Sequence, residues 1–303
     1  MQNHRIACLG LALSLVALGC ARSANQGSDE HDTHTVAPVA SAGRVVSEQS
    51  SSALPADASD AEARLAASPR HAEWAMVHVG NSDSVRVWLV YPERSTKAPV
   101  VVVVHEIFGL SAWIRAVADQ FAADGFIAVA PDFLTGNTGG VHPDSLSVDS
   151  ARAAIRRLDA GQIQTRIDAV ARWAMALPAA EPRYGIVGFC WGGSVVFNHA
   201  VHSPTVGAGV AYYGSAPAPE RLTSVRAPIL GLYGENDARV NATIAPTDSA
   251  MRALGKTYQA QVFPGAGHGF LRAQDGQAGA NLEATRRAWP ATLSWFRRHL
   301  GEG

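Results

Sequence analysis

From residue 74 onward the apolar positions follow two rhythms that alternate along the chain. Trp74 to Val79 and Val85 to Tyr91 show the period of two expected of half-buried strands, and they read as an opening antiparallel pair. Val100 to Val104 is instead an unbroken apolar run, the pattern of a central strand covered on both faces. Helical spacing follows over Trp113 to Ala123, then a strand over Phe126 to Ala130 that stops at Pro131-Asp132. A Gly-rich loop, Thr135 to Val141, leads into helical spacing from Ser150 to about Leu177 with a break near Gly161. Further strands fall at Tyr184 to Phe189, Gly209 to Tyr213, Ile229 to Tyr233 and Tyr258 to Phe263, and a last helix spans Asn281 to Leu300. Strands alternating with helices predict an α/β fold, a mainly parallel sheet with helices on both faces. No internal repeat is present, and one domain over 72–303 accommodates the pattern.

The first seventy residues have a different texture. His4 and Arg5 precede the apolar run Ile6 to Leu18, which ends in the small residues Gly19, Cys20 and Ala21. The run is too short for a membrane span, which takes about 20 apolar residues, and it reads as a signal peptide over 1–20. Ala17-Leu18-Gly19-Cys20 resembles a bacterial lipobox with Ala17 where the pattern prefers Leu, which makes Cys20 the expected lipidation site; cleavage after Ala21 or Ala24 is the alternative. Residues 21–71 are rich in Ser, Ala, Asp and Gln, show no sustained apolar period, and read as a flexible linker. The expected location is therefore outside the cytoplasm, periplasmic or anchored to a bacterial membrane through that lipid.

Composition narrows the function classes. The chain of 303 residues is 47% hydrophobic and 17% charged with a formal net charge of -1, which suits a globular core and offers no basic surface for nucleic acid. Of three cysteines, Cys8 and Cys20 belong to the signal segment, so the folded domain keeps Cys190 without a disulfide partner of its own. A monomer is expected.

Cys190 stands in Gly188-Phe189-Cys190-Trp191-Gly192-Gly193, between an apolar strand and a helical segment. That is the setting of a nucleophile elbow, a strained strand-to-helix turn whose flanking glycines let strand and helix approach. Cys190 then sits at a helix N-terminus, which favours a thiolate, and the Trp191 N–H becomes one oxyanion donor. Asp237 follows the strand Ile229 to Tyr233, and His268 follows the strand ending at Phe263, the chain order of acid and base in such folds. Both positions are strand C-termini, where open α/β sheets build their sites. The bland alternatives are an Asp237 that caps the next helix, a surface His268 and a merely structural Cys190. Glu106, at the end of the Val strand in Val104-His105-Glu106-Ile107-Phe108-Gly109, is either a partner of the thiol or a solvated loop carboxylate.

These motifs, with Ala130-Pro131-Asp132, Gly234-Glu235-Asn236-Asp237 and Gly265-Ala266-Gly267-His268-Gly269-Phe270, make the segment from about Trp74 to Leu300 resemble the dienelactone hydrolases (carboxymethylenebutenolidases). The resemblance implies an α/β-hydrolase fold and a Cys190, Asp237, His268 triad, with Glu106 holding the resting thiol and Ile107 supplying a second oxyanion N–H. It implies attack on an ester or lactone carbonyl through an acyl-enzyme, with no cofactor. Arg272 matches one of the family's substrate-carboxylate arginines; Arg152, Arg156 and Arg157 are candidates for the second, with Arg152 carried forward. Gly269 stands where the family enzyme has serine, and the signal segment departs from cytoplasmic members. Both departures fall on substrate and setting, so the expected substrate is a small, acidic ester or lactone rather than dienelactone itself. Two other readings stay open: a surface lipoprotein that keeps the fold but only binds, and an acyltransferase.

Overall fold

Seven successive residues of β3 (Ala98–Val104) are buried, because this strand lies inside the sheet with helices on either side. Val101 and Val103 belong to one apolar core and Val100, Val102 and Val104 to the other, the alternation a pleated strand imposes. The structure is a computed structural model that describes residues 54–301; the signal segment, Cys20 and residues 21–53 of the expected linker lie outside the described residues.

Around β3 the eight strands run in the order β1-β2-β4-β3-β5-β6-β7-β8. β1 (Ala72–Val79) and β2 (Asp83–Val90) form the expected antiparallel pair, and β2 joins β4 (Ile127–Asp132) antiparallel. From β4 onward, through β5 (Ala180–Phe189), β6 (Ala208–Tyr212), β7 (Ile229–Asn236) and β8 (Tyr258–Gly267), all pairings are parallel. This is the α/β-hydrolase architecture.

Short α1 (Ala61–Ala66), α2 (Ala112–Ala123) and α8 (Ala280–Leu300) cover one face, contributing Ile114, Val117, Phe121, Trp289 and Phe296. Helices α4 (Ala160–Met175) and α5 (Trp191–His202) cover the other with Ile167, Val170, Val196 and Phe197. The remaining helices are α3 (Val148–Ile155), α6 (Ala238–Asn241) and α7 (Ile244–Ala253).

The break expected near Gly161 separates α3 from α4, and Asp159 caps α4 by accepting from the Gln162 N–H at 2.8 Å. Two features differ from the sequence expectation. Strands β7 and β8 continue past Tyr233 and Phe263, because Asn236 stays in register with Gly267 beyond a bulge. Residues 54–71, expected in the linker, are built into the domain. Ala56 and Ala61 are buried, the Trp113 indole N–H donates to the Ala56 carbonyl at 2.9 Å, and Arg70 grips Asp119 with Nε and Nη2. The segment's own apolar residues are too small and too few to signal this, and its anchors are distant side chains.

At the turn between β5 and α5 backbone meets backbone. A methyl group on Gly188 would lie 2.1 Å from the Gly192 carbonyl oxygen, and one on Gly192 would lie 2.5 Å from that of His105. Gly192→Ala should therefore push α5 off the end of β3. The expected cost is about 1 to 3 kcal/mol, as for overpacking, read as a fall of several degrees in the thermal midpoint at about 2–4 °C per kcal/mol. An unchanged midpoint would mean that the helix has room to spare at this contact.

Candidate active site

Parallel register brings the chemistry together. Val104 of β3, Gly188 of β5 and Ala211 of β6 are in line, so the chain places Glu106, Cys190 and Tyr213 each two residues beyond that line. One strand pair further on, Asn236 and Gly267 are in line, and the next residues are Asp237 and His268. Adjacent strands that end level with one another must present their following residues to a common edge.

Cys190 has φ 56° and ψ −115°, and its N–H donates to the Tyr212 carbonyl at 3.1 Å. A non-glycine residue in this region is strained and held there by its surroundings. The glycine contacts described above are that restraint. The residue is partly exposed while packing against the apolar core.

Asp237 precedes α6 directly but makes no side-chain cap; its Oδ2 lies 2.5 Å from Nδ1 of His268. The capping alternative is thereby excluded. With Nδ1 bound to the carboxylate, Nε2 of His268 is the nitrogen left to exchange a proton.

Glu106 is not a solvated loop carboxylate, since it is only 3% exposed. Its partner is Arg272, whose Nε lies 3.3 Å from Oε2. The two atoms are not aligned as a hydrogen bond, and neither has another partner. Burial pushes the Glu106 carboxyl up to about 7 against the opposing pull of Arg272. Burial, and then the Glu106 charge, push the Cys190 thiol up to about 11, although the Trp191 N–H at the sulfur and Arg239 favour the thiolate. The N–H of Trp191 thus favours the thiolate, as a helix N-terminus should, but burial acts more strongly in the other direction, which agrees with a thiol at rest.

The turn that carries Glu106 and Ile107 closes with the Gly109 N–H donating to the Glu106 carbonyl at 3.3 Å, with Gly109 at φ 76°. Ile107 and Trp191, the two expected oxyanion donors, are joined through His105, which sequence reasoning passed over. The buried His105 ring donates from Nδ1 to the Glu106 carbonyl at 2.7 Å, accepts the Phe133 N–H on Nε2 at 3.3 Å, and stacks on the Trp191 indole at 5.4 Å. Burial lowers its basicity, so it stays a neutral strut.

Both arginines carried forward from the sequence reach this place. The Arg272 and Arg152 guanidinium carbons lie 4.8 and 5.1 Å from the centre of the Phe108 ring, and each has a buried Nε without a hydrogen-bond partner. Arg156 and Arg157, exposed at the end of α3, show no such placement. Gly269, at φ 77°, starts the turn that carries Arg272, whose N–H donates to the Gly269 carbonyl at 2.9 Å. The glycine therefore suits the left-handed backbone here.

Tyr213 was also missed. It is fully buried at φ 39°, its ring lies 5.1 Å from that of His268, and its hydroxyl has no hydrogen-bond partner. The strand-end rule that located Asp237 and His268 applies to it equally; only the familiarity of a core tyrosine hid it. Among the described residues no group of three His, Cys, Asp or Glu could hold a metal ion.

Comparison with known proteins gives a consistent picture. Residues 85–300 match the model of the "Dienelactone hydrolase family". A Methylorubrum extorquens protein named "Putative carboxymethylenebutenolidase" is 34% identical over 220 residues, 69% of this chain and 75% of that protein. An Escherichia coli K12 protein of the same name is 30% identical over 236 residues, 73% and 84% of the two chains. Among solved structures, a "Putative Dienelactone Hydrolase" from Klebsiella pneumoniae superposes with a TM-score of 0.66 at 26% identity, over 75% of this chain and 99% of that one.

The coupling of Glu106 to the sulfur can be read from the rate of alkylation of Cys190 by iodoacetamide. As pH rises through about 7, Glu106 ionises and its charge opposes the thiolate, so the rate should lag before climbing toward about 11. In Glu106→Gln the lag should vanish and the climb should begin at lower pH. Superimposable profiles would show that the carboxylate does not sense the thiol.

Proposed function

Because the chain belongs to the dienelactone hydrolase family and is a hydrolase of ester or lactone bonds, we propose that it works through a covalent Cys190 intermediate on small substrates bearing an anionic group. The observation that carries this reading is the 2.5 Å contact of Asp237 with His268 beyond the ends of β7 and β8, on the same edge of the sheet as a cysteine held at positive φ after β5. His268 Nε2 accepts the thiol proton as the sulfur attacks the carbonyl carbon. The oxyanion forms against the N–H groups of Ile107 and Trp191. Collapse breaks the C–O bond, His268 returns the proton to the leaving oxygen, and a thioester remains. Water, deprotonated by His268, attacks the thioester and releases the acid and the thiol.

The raised thiol has a use in this scheme. A sulfur protonated at rest is a poor target for stray electrophiles, and its proton leaves only when the substrate displaces water and engages the base. Arg272, paired with Glu106, and Arg152, paired with Asp149, supply two partly exposed cations against Phe108, which suits a carboxylate on the acyl portion.

Two measurements test these assignments. Cys190→Ala should lose hydrolysis of p-nitrophenyl esters by at least about a thousandfold, while wild-type protein quenched during turnover should carry the acyl mass on Cys190. Retained hydrolysis in the variant would falsify the nucleophile. Arg272→Ala should lower the preference for an anionic ester over a neutral one by about ten- to a hundredfold, chiefly through KM, in line with a charge-assisted hydrogen bond of roughly 1.5–3 kcal/mol. A uniform loss on both esters would instead assign Arg272 to the support of Glu106 alone.

A further inference from the structure

The turn that carries Arg272 is held from outside the family core. Residues 54–60 precede the segment 85–300 shared with the family, yet they lie against this turn. The Ala58 N–H donates to the Arg272 carbonyl at 2.9 Å. The Gln274 N–H donates to Oδ2 of Asp57 at 2.6 Å, and the Gln274 side-chain amide donates to the Pro55 carbonyl at 3.0 Å. Three hydrogen bonds thus hold the turn at Arg272 itself and two residues beyond it. The strap is itself anchored: Ala56 is buried and its carbonyl accepts from the Trp113 indole.

Asp57 divides its two oxygens between these tasks. Oδ1 accepts from the Ser59 N–H and hydroxyl, both at 2.8 Å, which folds the strap on itself, and Oδ2 is left for the loop. On the other side of the turn Arg272 reaches Glu106 and Phe108 with its guanidinium. A side chain on a loop is only as well placed as its backbone, and exposed loop backbone is otherwise free to move.

We infer that Asp57 is a positioning residue that fixes the Arg272 turn, so that the strap ahead of the family core sets the enzyme's preference for anionic substrates. The proposal rests on the reading of Arg272 as the anion-recognising group. Asp57 itself touches no reacting atom.

The test uses the full chain carrying Asp57→Ala or Asp57→Asn, with p-nitrophenyl acetate and mono-p-nitrophenyl succinate as neutral and anionic esters. In Asp57→Ala the anionic preference should fall about five- to tenfold through KM, as for one lost hydrogen bond, with a wild-type thermal midpoint to within a few degrees. Asp57→Asn keeps one acceptor oxygen and should fall between. Amide hydrogen exchange over 271–275 should speed up in the same order, a readout independent of activity. Added to Arg272→Ala, the Asp57→Ala change should cost no further preference.

If Arg272→Ala abolishes the preference and Asp57→Ala leaves both preference and exchange as in wild type, the strap has no positioning role and the proposal falls. If Arg272→Ala itself leaves the preference intact, the underlying reading of Arg272 falls first and takes the proposal with it.

Discussion

The approach of β5 to α5 at the Cys190 turn is the constraint on which the rest of the site depends. Gly188, Gly192, Gly193 and Gly214 bring backbone within a distance that no Cβ could share, with Gly193 set against Tyr212 and Gly214 against Gly193. Four positions without side chains let three strand ends and one helix converge, and that convergence holds Cys190 at positive φ. It also fixes the neighbours: the carbonyls of Val104 and His105 abut Gly192, so the Glu106 turn is located by the same contact that locates Cys190. Tyr213, the second strained residue, leaves β6 at the level of this contact.

Electrostatics then sets how the site rests. A carboxylate, a thiol and a guanidinium lie together, and desolvation acts on the ionised forms of the first two. Glu106 is pushed toward neutrality and Arg272 pulls it back; the sulfur, with a burial penalty and a negative neighbour, stays protonated. His268, partly open to solvent, is held by Asp237 beside this group. A binding protein with this fold would have no need of that arrangement, and membership of a hydrolase family agrees.

The edge of the site is less uniform than its centre. The centre is built from strand ends whose register leaves little freedom. The substrate side is made of loops: the Phe108 turn, the arginine on α3, and the turn after His268, which borrows its support from residues 54–60. Relatives that share the 85–300 core can differ here without disturbing the chemistry, because none of these contacts enters the sheet.

The alternation of strand and helix, the order of nucleophile, acid and base, and the placement of each candidate at a strand C-terminus were legible in the chain alone. They follow from local periodicity and from glycine-bounded motifs, and both are short-range properties. Cys190, Asp237, His268 and Glu106 could therefore all be named as candidates from the chain alone. What only the tertiary structure decided was every relation between distant segments. Arg272 faces Glu106, His105 ties two loops, and Asp57 reaches a partner 217 residues away. The upward push on the thiol belongs to the same class, since a helix N-terminus is visible in sequence but the burial around Cys190 and its approach to Glu106 are not. Residues 54–71 looked like linker for that reason too: their order comes from hydrogen bonds to Trp113, Asp119 and Gln274, and no periodicity within the segment records them.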